Sequence, residues 1–231
     1  MTAEFQIEPR FRANQSGLRL THEALPANPL SDLFAMTGAT LRLARNEELY
    51  GEDEPAEYAY QVVSGTVRTC RFTADGQRQI VAFHRKGDVL GLGIGNTHRF
   101  AAEAVTDATV LMVRRSAVLA AAARDVAVSR ALWEHAAAEN ARAEEHSLLL
   151  GRRSAGERVA SFLLDSASRS EDGIVELPMS RQDIADYLGL TIETISRTLT
   201  QFERDRLIRM QSARRIGLAS GSALKQLARG A

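Results

Sequence analysis

The run from Ser180 to Arg206, SRQDIADYLGLTIETISRTLTQFERDR, leaves this part of the chain few choices. Ser180 with Asp183 three positions on is a capping-box variant, the mark of a helix start. Ile184, Tyr187 and Leu188 recur at i, i+3, i+4 and predict one buried face. Gly189 interrupts the pattern where a left-handed residue costs little, and Thr191 is a natural N-cap for a second helix. At roughly 100° per residue, Ile195, Leu199 and Phe202 share one arc of that helix with Ile192 at its edge. Glu193, Ser196, Arg197 and Thr200 share the other. A helix-turn-helix that enters a major groove needs such a docked back and a polar front. On that front Arg197 suits guanine and Glu193 suits a cytosine amino group. An amphipathic helix hairpin with a merely solvated face has the same periodicity.

These residues also carry a family resemblance. DIADYLGLTIETISR resembles the DNA-binding helices of the Crp/Fnr regulators, in particular the Fnr/FixK branch. The branch's base-reading E-x-x-S-R falls on Glu193, Ser196 and Arg197. Ile192 stands where the cyclic-AMP branch has a second arginine, which implies TTGAT-type half-sites rather than the cyclic-AMP receptor's site. On this reading Glu193, Ser196, Arg197 and Ile192 face bases. Thr191, Thr194, Thr200, Arg214 and Arg215 face phosphates.

Composition narrows the remaining choices. The 231 residues suffice for one large or two modest domains. Basic and acidic side chains balance at 29 each, so attraction to DNA must come from local clustering. Ser180 to Arg215 holds seven arginines and five acids, an excess of 7 − 5 = +2 that suits phosphate contacts. One cysteine, Cys70, cannot alone hold an iron–sulfur cluster or close a disulfide. The Fnr proteins carry a cysteine cluster near the N-terminus, and this chain has none, so cluster-based oxygen sensing is not inherited. No apolar run approaches a membrane span and the first residues lack a signal-peptide core, so a cytoplasmic protein is expected.

Upstream, residues 1–28 read as a loose extension, with a short helix around Ser31 to Met36. From Ala39 to Val113 the pattern is short strands: ATLRLAR, then YAYQVVSGTVRTCRF turning at Ser64-Gly65, a hairpin turn at Asp75-Gly76 before QIVAF, a turn at Lys86-Gly87-Asp88, and ATVLMV. Such spacing predicts a sandwich or barrel. YQVVSGTVR and GDVLG resemble landmarks of the family's β-roll.

In the cyclic-nucleotide branch a Gly-Glu pair and an Arg-Ser pair hold ribose and phosphate. Here GLGIGNTHRF puts Leu92 in the glutamate's place and Phe100 in the serine's, leaving only Arg99. The glycines lack the flanking strand, helix and acid of a dinucleotide loop. His84 and His98, fourteen positions apart, form no His-x-His pair, so a cupin-type metal enzyme is the weaker alternative. Heme held by His84 or Cys70 has no motif behind it.

Arg114 to Leu150 reads as helical almost throughout. Val128, Leu132, Ala136, Ala143 and Leu150 form a narrow apolar seam, interrupted by Glu139 and His146, that suits a close two-helix contact. The same seam would serve a helix packed on its own domain; the resemblance implies the family's dimer helix. Gly151 reads as a hinge, Val159, Phe162 and Leu163 as the stripe of a further helix, Arg169 to Gly173 as a turn, and IVEL as a strand. LIRMQSARRIGL reads as two strands joined through Ser212 to Arg215, with Arg214 and Arg215 at a wing tip, and Ser222 to Ala231 as a last short helix.

The expected fold is α+β: an extension (1–28), a β-roll of the cyclic-nucleotide-binding jelly-roll kind (29–123), a dimerisation helix (124–150) and a winged helix-turn-helix (151–231). The resemblance implies a dimeric transcription regulator, an activator that contacts RNA polymerase and reads a palindromic site in double-stranded DNA. No metal or cofactor is expected, and no catalysis. The alternative is a sensor of the same architecture gated by a small molecule or heme in the roll.

Overall fold

The computed structural model describes residues 28–152, 154–168 and 174–230. The extension before Asn28, the turn at 169–173 and the final Ala231 lie outside them.

The chain opens with α1 (Pro29–Thr37), capped by the Asn28 side chain, which accepts from Leu30 N; Leu30 and Phe34 are buried. Eight strands follow: β1 (Ala39–Leu43), β2 (Glu48–Tyr50), β3 (Tyr58–Ser64), β4 (Val67–Phe72), β5 (Arg78–His84), β6 (Val89–Leu90), β7 (Ala101–Ala104) and β8 (Ala108–Arg114). They form two antiparallel sheets, ordered β1-β8-β3-β6 and β2-β7-β4-β5. Between the sheets lie Leu43, Tyr60, Val62, Val67, Ala102, Ala104 and Val110, a roll closed by its own core. Strands β2, β6 and β7 are not legible in the sequence, because two to four residues carry too little alternation. The turn between β3 and β4 needs glycine. Gly65 has φ +80°, and a Cβ there would lie 2.3 Å from Asp107 O.

Helix α2 (Arg115–Arg124) closes the roll, and α3 (Val126–Arg152) follows. The two helical stretches expected between Arg114 and Leu150 meet at Asp125, whose Oδ1 accepts from Ala127 N at 2.8 Å. Gly151, expected as a hinge, lies in the last turn of α3, which ends at Arg152.

The C-terminal part holds α4 (Ala155–Ser168), β9 (Ile174–Glu176), α5 (Arg181–Leu188), α6 (Ile192–Arg204), β10 (Ile208–Met210), β11 (Arg215–Leu218) and α7 (Gly221–Ala228). Its core gathers Val159, Phe162 and Leu163 of α4, Ile184 and Leu188 of α5, Ile195, Leu199 and Phe202 of α6, and Ile216 of β11. Each such side chain contributes roughly 1.5–3 kcal/mol through burial. The antiparallel sheet β10-β11-β9 forms the wing. No helix among the described residues is long and apolar enough to cross a membrane.

Candidate nucleic-acid interface

Helix α5 begins as its sequence predicts. Asp183 N donates to Ser180 Oγ at 3.0 Å, and Asp183 Oδ2 accepts from Ser180 N at 2.9 Å. Gly189 ends it in the left-handed conformation, φ 61° and ψ 44°. Thr191 caps α6 by accepting from Thr194 N at 3.2 Å. The cap satisfies an amide that the first helical turn leaves without a partner.

The back of α6 is buried through Ile195, Leu199 and Phe202. Its front leaves Glu193, Ser196, Arg197 and Thr200 exposed, with Ile192 at the edge, 38% exposed. The Glu193 carboxyl is held below its ordinary range by its own backbone amide, then by the Thr191 hydroxyl and the Arg197 charge. It is therefore an ionised acceptor near neutral pH. Ser196 Oγ donates to Ile192 O and Thr200 Oγ1 to Ser196 O, each at 2.9 Å. Both hydroxyl protons are thus committed within the helix, which leaves their oxygens as acceptors. Thr194 is half-buried and its Oγ1 lies 3.1 Å from that of Thr191.

The two wing arginines have different surroundings. Arg214 lies exposed at the tip, where Ser212 Oγ accepts from its backbone amide. Arg215 is the first residue of β11, in register with Glu176 of β9, and its Nε sits 3.6 Å from Glu176 Oε1. Its carbonyl closes the Ser212–Arg215 turn, and its half-exposed guanidinium forms a weak surface ion pair.

The seam residues of α3 differ in exposure within the chain. Val128 is buried inside its own chain, Leu132 is half-buried, and Leu150 packs on the core around α4 to α6. Ala136 and Ala143 remain exposed. With Val126, Ser129, Trp133, Asn140 and Ser147 they form one open stripe at alternating spacings of three and four. Trp133 on it is 76% exposed. Periodicity alone did not separate this stripe from the covered one, since both repeat nearly every seventh residue.

In the roll, Leu92 packs against the cluster around Phe34 and Val118. Arg99 is exposed, its guanidinium 5.9 Å from the Phe100 ring centre. His84 is buried with Nε2 3.2 Å from Thr69 Oγ1, and His98 stacks on Tyr50 at 3.7 Å. Cys70 is buried, and burial pushes its thiol up to about 11. Among the described residues no three His, Cys, Asp or Glu side chains gather as a metal set.

Two domain profiles match the chain: a cyclic nucleotide-binding domain over residues 40–125 and a Crp-like helix-turn-helix domain over 157–227. The nitrogen fixation regulation protein FixK of Azorhizobium caulinodans is 48% identical over 217 residues, covering 91% of this chain and 86% of that protein. The transcriptional activatory protein AadR of Rhodopseudomonas palustris is 40% identical over 198 residues, covering 83% and 82%. The solved structure of FixK2 from Bradyrhizobium japonicum superposes with a TM-score of 0.80 at 50% identity, covering 83% of this chain and 97% of that one. With a roll, a long helix and a winged helix-turn-helix in the same order, the chain belongs to the Crp/Fnr family of transcription regulators and is FixK-like within it.

Proposed function

We propose that this protein activates transcription as a homodimer that reads a palindromic TTGAT-type site, with no need for cyclic AMP or an iron–sulfur cluster. The observation that carries the reading is α6, whose back is buried and whose front presents Glu193, Ser196 and Arg197 together. Arg197 donates two hydrogen bonds to a guanine. Glu193, one turn away, accepts from a cytosine amino group, and Ile192 packs on a thymine methyl. Thr191, Thr194, Thr200, Arg214 and Arg215 serve phosphates. To donate to a phosphate, the Thr200 hydroxyl rotates away from Ser196 O; Ser196 as it stands accepts from a base amino group. One helix reads about half a turn of duplex; two helices about 34 Å apart read a palindrome. The open stripe through Trp133, Ala136 and Ala143 is the surface on which a second copy pairs. Activation, with the contacts to RNA polymerase it requires, is supported by similarity to relatives such as the activatory protein AadR.

Independence from cyclic AMP is supported by Leu92, committed to the core, and by Arg99, turned to solvent. One cysteine, itself buried, supports independence from a cluster. The test is binding of purified protein to a randomised duplex library in air, with and without cyclic AMP. A TTGAT palindrome selected equally well in both supports the reading; a large affinity gain with the nucleotide defeats it.

One observation favours an effector-gated alternative. A cavity of about 660 Å³ opens between β5, α3, α4 and α7, lined in part by Phe83, His146, Phe162 and Tyr187. It lies beside the roll rather than inside it. Small molecules that shift the melting temperature and DNA affinity together would support gating there.

A further inference from the structure

The Asp183 carboxylate serves two elements at once. Its Oδ2 accepts from the amide and hydroxyl of Ser180 and so caps α5. Its Oδ1 accepts from Arg68 Nη1 at 3.1 Å and Arg78 Nη2 at 2.5 Å, both from the roll. Beside it, Asp186 Oδ2 accepts from Arg78 Nε at 2.8 Å, and Asp186 O accepts from Gln79 Nε2 at 2.8 Å. Glu103 of β7 holds Arg68 from behind, 2.9 Å from its Nε. Asp183 is 4% exposed and Arg68 is 7% exposed, so water screens the pair weakly. One carboxylate of the reading domain therefore joins the start of the helix that carries α6 to the strands β4 and β5.

From this geometry we infer that Arg68 and Arg78 are positioning residues for DNA reading: they touch no DNA but set the orientation, and so the spacing, of the two reading helices in the dimer. The inference rests on the proposal that α6 reads paired half-sites. The covalent link between α3 and α4 is short, and a second set of contacts lies next to it. Arg158 donates to Leu150 O and Leu188 O, and His146 Nε2 lies 2.8 Å from Tyr187 O. Contacts beside a pivot resist rotation with little leverage. The arginines of β4 and β5 supply attachment from a different element and remove that rotation. The helix-turn-helix moves as one body, because Ile184, Leu188, Ile195 and Leu199 share a core. Holding α5 therefore aims α6. A dimer reading two half-sites one turn apart gains from both only if the two aims match.

The experiment measures affinity of the full-length dimer for duplexes carrying two half-sites selected by the wild-type protein. Their centres lie at the preferred spacing or one and two base pairs nearer or farther. Arg78→Gln is expected to weaken binding at the preferred spacing by about tenfold, the scale of one lost charged hydrogen-bond pair. The ratio between preferred and shifted spacings should shrink, and Arg78→Lys should restore part of it. Asp186→Asn, which leaves the Asp183 cap intact, should relax spacing in the same way and guards against a folding defect in the first variant. A merely structural role predicts equal losses at every spacing with a lower melting temperature, and that result overturns the inference, as does unchanged binding. Trypsin cleavage between α3 and α4 without DNA gives an independent reading. It should accelerate in Arg78→Gln and Asp186→Asn, and equal rates overturn the latch. If the wild-type protein binds no duplex, the DNA-reading proposal fails while the cleavage rates still decide whether the arginines hold the domain.

Discussion

The rings of His146 and Tyr187 stack with centres 4.2 Å apart and planes within 6°, and His146 Nε2 lies 2.8 Å from the Tyr187 carbonyl oxygen. The contact joins the long helix α3 to the first helix of the reading motif. Tyr187 also meets Phe83 of the roll and Phe162 of α4. One aromatic side chain thus touches the roll and both neighbouring helical layers.

That placement makes the fold sensitive to mild acid. Burial lowers the imidazole pKa of His84, His98, His135 and His146 below the ordinary 6.5; at His146 the Tyr187 carbonyl partly offsets it. At His84 the remaining influences come from Glu139, Asp88, Arg142 and His135. Between the folded value and 6.5 the unfolded chain binds more protons, so stability rises with pH in that window. The contribution is complete above about 6.5 and is lost as pH falls through the window. Chemical denaturation at pH 7.5 and at pH 5.5 should show a lower midpoint in acid. His146→Gln should reduce the difference; a midpoint that does not move would contradict the burial argument.

The two stripes of α3 should respond differently to substitution. Trp133→Glu or Ala143→Glu lies on the open stripe and should shift the protein towards monomer in light scattering at micromolar concentration, with DNA affinity falling alongside. Val128→Ala lies on the covered side and should instead cost about 1–3 kcal/mol of folding stability with no change of mass. Equal masses for all three variants would remove the open stripe as the pairing surface.

Base reading and phosphate holding separate by sequence dependence. Arg197→Ala should weaken the selected site by about tenfold or more per half-site and relax preference at one base pair. Arg214→Ala should weaken all duplexes together and reduce the salt slope by about one. Arg215→Ala should do less, because its guanidinium lies beside Glu176. A uniform loss for Arg197→Ala would make that residue a phosphate clamp.

Gly65→Ala tests the roll's tightest turn. The added methyl meets backbone atoms, Asp107 O at 2.3 Å and Ala108 Cα at 2.7 Å, at φ +80°. The left-handed backbone alone costs roughly 1–2 kcal/mol for a non-glycine residue. Thermal melting should drop by several degrees on that scale, whereas Gly76→Ala, with nothing within 4 Å of its added Cβ, should drop less.

What could be read from residues alone was local. Ser180, Asp183, Gly189 and Thr191 specify helix ends through hydrogen bonds spanning a few positions, and the structure places those ends at the same residues. The buried back of α6 follows from a period of 3.6 residues, and the longer strands from a period of two. The family resemblance rests mainly on the same run, with YQVVSGTVR and GDVLG of the roll beside it. What only the tertiary structure decided concerns partners distant in sequence. Arg68 and Asp183 are 115 positions apart, and nothing in either neighbourhood marks the pair. The side of α3 that is covered depended on where the roll and the reading domain pack, because two stripes of similar period compete there. Arg215 meets Glu176 because β11 pairs with β9. Short-range hydrogen bonding is encoded within a turn of chain. Long-range packing depends on every element at once, and it alone tells which arginine holds an orientation and which meets solvent.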